Sequence, residues 1–157
     1  MKKLLFLFAT IALFSCSKND DDNSTPTNGN IVSKWHLIDI LENGTPISGY
    51  SCNKELDITE FTSTGQSITK YSDFNSNNVC IQYTENGTYT VSENILTDVQ
   101  KNGTIKIYEA KYKIKELTAT SLKLEMISLF ESNSDGSNSY TSNYVEGEEV
   151  KVYIKTN

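Results

Sequence analysis

Apolar and polar residues alternate along most of this chain with a period of two. Leu56 and Ile58 alternate with Asp57 and Thr59. Leu122, Leu124, Met126, Ser128 and Phe130 share one parity against Lys123 and Glu125. Val150, Val152 and Ile154 alternate with Lys151, Tyr153 and Lys155. That period is the signature of strands with one buried face. Segments 35–41, 66–71, 79–84, 88–92, 95–99 and 104–117 are also strand-like, and no segment of helical length carries the helical period. Asn-Gly pairs at Asn43-Gly44, Asn86-Gly87 and Asn102-Gly103 suit the positive φ angles of two-residue hairpin loops, and each predicts a turn. Thr64-Gly65, Asp135-Gly136 and Glu146-Gly147 add further turn points, and 132–143 reads as a polar loop. Parity slips between Glu60 and Phe61 and between Ile107 and Tyr108 predict β-bulges. Eight or nine short antiparallel strands joined by tight turns predict an all-β, up-and-down barrel of about eight strands, because closure removes the edges. A β-sandwich with Greek-key connections is the alternative.

The first residues break the pattern. Met1-Lys2-Lys3 precedes an apolar run, 4–14, too short to span a bilayer, which needs about 20 residues. It reads as the apolar region of a secretory signal. The run ends in Leu13-Phe14-Ser15-Cys16, which resembles a bacterial lipobox. That resemblance implies a lipoprotein signal peptide over 1–15, cleavage before Cys16 and acylation of Cys16. Lys18-Asn19-Asp20-Asp21-Asp22 resembles the acidic surface-export signal of Bacteroidota lipoproteins. The expected location is the outer membrane, lipid-anchored, at the cell surface, with the periplasmic face as the alternative. Segment 16–30 is polar, with Pro26 and Gly29, and reads as a flexible acidic tether. The remaining 31–157 is long enough for one core.

Composition narrows the function. The 157 residues include 14 Lys, no Arg, 20 acidic residues and one His, for a net charge of −6. Phosphate binding needs clustered Lys and Arg, so a nucleic-acid partner is not expected. With one His, no Arg, no Gly-x-Ser-x-Gly and no Cys/His arrangement, an enzyme is not expected either, nor a cofactor or metal site. His36, beside Trp35, reads as an exposed or barrel-end histidine. Segment 131–136 resembles the start of an EF-hand loop. Its twelfth position is Ser142, where a bidentate Glu is required, so it reads as a solvated loop. Cys52 and Cys80 are the two cysteines left after Cys16. An even pair in an exported chain reads as a disulfide, with free thiols or metal ligands as alternatives.

Trp35 on the first strand, Cys52, Phe61-Thr62-Ser63-Thr64-Gly65, Cys80 and Gly87-Thr88-Tyr89-Thr90-Val91 occur in that order. Together they resemble the lipocalin-like domain lipoproteins of Bacteroidota, over roughly 31–157. The resemblance implies a lipocalin-like barrel that captures a small hydrophobic or amphipathic molecule. The alternative is a non-enzymatic surface interaction protein (a subunit, adhesin or inhibitor) with a filled barrel. Most of the nine tyrosines read as ordinary strand formers. Tyr89 and Tyr112, each central in its segment, are the candidates for ligand contact.

Overall fold

The computed structural model describes residues 30–156. The expected signal peptide 1–15, the expected lipid-attachment residue Cys16 and the expected tether up to residue 29 lie outside the described residues. Ten strands follow in chain order: β1 (Ser33–Glu42), β2 (Thr45–Pro46), β3 (Ile58–Phe61), β4 (Gln66–Phe74), β5 (Cys80–Ser92), β6 (Ile95–Asn102), β7 (Ile105–Leu117), β8 (Ser121–Glu131), β9 (Tyr140–Asn143) and β10 (Glu149–Lys155). A single 3-10 turn, Lys54–Leu56, precedes β3. Eight strands pair antiparallel in the order β1-β3-β4-β5-β6-β7-β8-β10, and β10 returns to β1. The wall is therefore a closed meander barrel, not a sandwich. β2 and β9 are short additions on β1 and β8.

Turn chemistry accounts for several corners. Asn43 and Gly44 have φ of 49° and 78°, the left-handed pair that an Asn-Gly hairpin supplies. The β3–β4 turn closes through Gly65 at φ 78°, with the Gly65 amide donating to the Thr62 carbonyl at 3.1 Å. Asn86-Gly87 departs from expectation: it is no turn but the middle of the thirteen-residue strand β5. Gly87 is there for closeness. A Cβ on it would lie 2.7 Å from Ser67 Oγ and 2.8 Å from the Val99 carbonyl. Its bare backbone lets Ser67 of β4 donate to Asp98 Oδ1 of β6 at 2.5 Å, straight across β5. The polar segment 132–143 also departs from a plain loop, since its end forms β9 against Ser128–Glu131. Register shifts fall at Leu37/Asp39, Gln100/Lys101, Lys111/Tyr112 and Ile114/Glu116. Phe61 keeps regular register with both Ser33 and Ser67, so no bulge occurs there.

The two ends of the barrel differ. At the end that carries the β3–β4, β5–β6 and β7–β8 turns, Trp35, Phe61, Leu96, Ile114, Leu117, Leu122 and Leu124 fill the interior. Trp35 Nε1 donates to the Ile31 carbonyl at 2.8 Å, which holds the buried Ile31 against this end of the core. Burying each such side chain stabilises the fold by about 1.5–3 kcal/mol.

Towards the other end the inward positions turn polar. β10 shows the change most clearly. Its inward residue is Tyr153, with Lys151 and Glu149 on the same parity, while Ile154 is exposed. The apolar parity of β10 therefore faces outward, the reverse of an apolar-in reading.

Above the filled half, two seams open in the wall. β3 has only four residues, which leaves β1 and β4 apart higher up. Segment 47–57 seals this seam. The Leu37 amide donates to the Asp57 carbonyl at 2.9 Å, the Ser72 amide to Asp57 Oδ1 at 2.9 Å, and the Cys52 amide to the Ser72 carbonyl at 3.2 Å. A Cys52–Cys80 disulfide, with Cα atoms 5.8 Å apart, then ties this segment to the start of β5. His36 faces this segment, with Nε2 2.9 Å from the Lys54 carbonyl, so it fastens the 3-10 turn. The second seam lies between β5 and β6, whose backbone pairing covers only Thr88–Ser92 against Ile95–Val99. Beyond it, a side-chain bond from Gln100 Nε2 to Glu85 Oε2, 2.9 Å long, joins the two strands.

Candidate functional site

The polar end of the barrel is a cup. A cavity of about 340 Å³ lies between the sealed seam and the lumen, lined by Leu37, Tyr50, Thr69, Tyr71, Glu85, Tyr108, Glu131, Lys151 and Tyr153. A second cavity of about 340 Å³ adjoins it at the open seam. The two share Glu85, Tyr108 and Glu131; Gln100, Ile107, Ser132, Asn133, Asn138 and Tyr140 complete the second. Below them the lumen narrows to about 60 Å³ between Leu96, Asp98, Tyr112, Leu124 and Lys151. The space available to a guest is therefore at the rim, and the interior beneath is filled.

Each lining side chain is aimed by strand parity. Thr69 and Tyr71 of β4, Glu85 of β5, Asp98 and Gln100 of β6, Tyr108 and Tyr112 of β7, and Lys151 and Tyr153 of β10 all sit on lumen-facing positions. Between Met126 and Ser128 the β7–β8 register shifts, which brings Glu131 opposite Tyr108 and into the same ring.

Glu85 is held on both sides. Tyr71 donates its hydroxyl to Glu85 Oε1 at 3.0 Å, and the Gln100 side-chain amide donates to Glu85 Oε2 at 2.9 Å. Burial and the neighbouring Glu85 charge push the Tyr71 phenol up to about 12, so it stays a donor. Lys151 Nζ lies 3.3 Å from the Tyr112 hydroxyl and 3.8 Å from Glu149 Oε1. Burial pulls the Lys151 pKa down, but Tyr153, Tyr108 and Glu149 outweigh it and the net shift is upward, so the ammonium keeps its proton. Tyr108 and Tyr112, with hydroxyls 3.4 Å apart, are raised above the ordinary tyrosine value chiefly by burial. Burial likewise raises Asp98, against the opposing pull of the Ser67 hydrogen bond, the Val99 amide and Lys151.

The two candidate tyrosines separate. Tyr112 is on the lumen wall beneath the cup, bonded to Lys151. Tyr89 belongs to the filled end. Its ring meets Phe61 edge-on with centroids 4.8 Å apart, and its hydroxyl donates to the Thr62 carbonyl at 2.8 Å. Sequence reasoning missed Glu85, Gln100, Lys151 and Glu131. Their one signal was the polar parity of the strands that carry them, which reads as a solvent face until closure is known. In the loop of 131–136, Asp135 is turned inward on itself, accepting from the Ser137 amide at 2.9 Å and the Ser137 hydroxyl at 2.6 Å.

Comparisons with known proteins agree with this architecture. No curated protein matches the chain. A crystal structure of an uncharacterized protein from Bacteroides eggerthii resembles it with a TM-score of 0.50 at 14% identity, covering 81% of this chain and 100% of that one. At that identity the likeness concerns the fold alone. The sequence profile of the lipocalin-like domain matches residues 31–124, more than half of the 157. The chain belongs to the lipocalin-like domain family.

Proposed function

We propose that this protein is a lipid-anchored outer-membrane lipoprotein of Bacteroidota, displayed at the cell surface, whose barrel mouth binds a small amphipathic ligand without chemical turnover. The observation that carries the binding reading is the cup itself. It is about 340 Å³, open at the rim and ringed by convergent polar groups over a filled barrel. Pockets for small ligands start at about that size and orient their guests with a few placed polar groups. The polar ring makes a wholly apolar guest unfavourable. Such a guest would strip water from Glu85, Glu131 and Lys151 and return no hydrogen bonds. The anchor reading is supported by the Leu13-Phe14-Ser15-Cys16 stretch and the acidic run after it.

Native mass spectrometry of the full chain, extracted from its producing membrane, tests both. The expected result is an acylated Cys16, absent from Cys16→Ser, with a stoichiometric guest lost on denaturation. A bare protein mass would remove the binding reading. Shaving intact cells with protease is expected to release the domain; full protection would place it on the periplasmic face.

A second reading, an interaction protein, is favoured by one feature. The β4–β5 hairpin projects beyond the rim with Phe74 and Val79 each 54% exposed. A crosslinked protein partner lost on Phe74→Ser with Val79→Ser would support it.

A further inference from the structure

We propose that the guest of the cup is a neutral, hydroxyl-rich ring with one apolar face, a saccharide, held by Glu85, Gln100, Tyr108 and Lys151 with the stacked Tyr71–Tyr83 pair as its wall. The inference rests on the small-ligand reading of the mouth and supplies the chemical class.

Charge narrows the class first. An anion entering the cup meets Glu85 and Glu131 on the wall and Asp98 below. A cation meets the retained ammonium of Lys151. A hydroxyl is indifferent to this mixture, because it donates to the carboxylates and accepts from the ammonium and the Gln100 amide. Donors and acceptors mixed across the cup and the adjoining cavity therefore fit a guest bearing several hydroxyls better than any guest of single charge.

Preorganisation is the second argument. Tyr71 and Gln100 each occupy one lone pair of Glu85, on opposite oxygens. A carboxylate has about four acceptor sites, so each oxygen keeps a second one. The group is fixed in orientation before a guest arrives, which lowers the ordering cost of binding.

An aromatic pair stands beside these polar groups. Tyr71 and Tyr83 stand opposite each other on β4 and β5, with ring centroids 5.3 Å apart and planes inclined by 21°. Tyr71 is the member of the pair on the cup wall, and Tyr83, 37% exposed, stacks against it from outside the cavity lining. A flat aromatic surface beside fixed polar groups suits a ring whose C–H face is apolar and whose edge is polar. The open β5–β6 seam leads sideways from the cup through the second cavity. A longer oligosaccharide can leave by that route while one ring stays seated.

Saturation-transfer NMR on the full chain in lipid nanodiscs tests the class. The probes are maltose, cellobiose and diacetylchitobiose, with glucuronate and glucosamine as charged comparisons. The expected result is transfer to the ring protons of at least one neutral disaccharide. Its affinity should fall at least tenfold in Tyr83→Ala and in Glu85→Gln, while the far-ultraviolet circular dichroism stays that of the parent. Tyr83→Ala removes only a half-exposed ring, so it remains informative if Glu85→Gln disturbs the wall. Transfer only to the charged sugars, to none, or unchanged in both variants overturns the proposal. In that event, a non-saccharide guest in the native mass spectrum leaves the small-ligand reading standing, and a bare mass removes both.

Discussion

The two ends of this barrel share most of their strands, with β3 stopping short of the mouth, and behave as different materials. At the filled end, side chains of Trp35, Leu96, Leu122 and Leu124 are completely or almost completely withdrawn from solvent, and neighbouring strands stay paired up to the turns, with a register shift at Ile114/Glu116. At the mouth, the same strands carry Glu85, Gln100, Tyr108, Glu131 and Lys151 inward, and two seams part. The contrast teaches where stability and recognition are kept. Apolar burial at one end supplies the free energy that lets the other end hold polar groups in fixed positions facing a cavity. It also explains why the two seams are treated differently. The seam beside β3 is sealed by a loop and a disulfide, and the seam beside β6 stays open as a side exit.

This contrast can be broken in four places. Trp35→Ala attacks the filled end and is expected to have the largest effect, a loss of about 3–5 kcal/mol from truncating a buried aromatic. Urea denaturation reads it, and the loss should be global, with the mouth unfolding together with the base. Removing the disulfide with the pair Cys52→Ala and Cys80→Ala opens a loop of sequence separation 28. The cost should be about 3–4 kcal/mol on the chain-entropy account. Hydrogen exchange should quicken first in 47–57 and 75–83 and last around Leu96 and Leu122; uniform quickening would deny that the two ends differ. Gly87→Ala sets a methyl group against Ser67 and the Val99 carbonyl, with an expected cost of about 1–3 kcal/mol from overpacking. Its melting temperature should drop, and Asp98→Asn should not rescue it if the carbonyl is the obstacle.

The smallest effect concerns pH. Burial raises the folded-state pKa of Asp98 above its value in the unfolded chain. The folded protein therefore keeps this proton longer on titration. Its contribution is favourable at low pH and is lost as pH rises through the window between the unfolded and the folded pKa. Asp98→Asn keeps an oxygen for Ser67 and should flatten the stability profile in that window. A slope unchanged from the parent would assign the pH dependence to other groups.

Much of the wall was legible in the sequence. Period-two segments, Asn43-Gly44 and Gly65 mark real strands and real turns, and the meander they imply is the observed topology. Cys52 and Cys80 pair, as the even pair left after Cys16 predicts. Two features escaped because their causes lie far away along the chain. Gly87 has the neighbours of a turn residue, but its lack of a side chain answers to Ser67 and Asp98 on two other strands. The facing of β10 was hidden for a similar reason. Alternation tells which residues share a face, and only closure tells which face is inside. A lumen that is apolar at one end and polar at the other defeats the assumption that the apolar face is always inward. The candidate site suffered most from this, since Lys151 and Glu85 look like solvent-facing residues until the barrel is complete.

Closure itself has a consequence for how the molecule comes into being. β10 is the last strand, and it bonds to both β8 and β1, with Lys155 opposite Trp35. The hairpins from β4 to β8 join neighbours and can assemble early, whereas the junction of first and last strands spans nearly the whole domain. Contacts so distant in sequence form slowly, because the intervening chain must be ordered before they are rewarded. The lumen and the mouth are enclosed only once this junction has formed. A chain missing its last strand would present two bare sheet edges and no container at all.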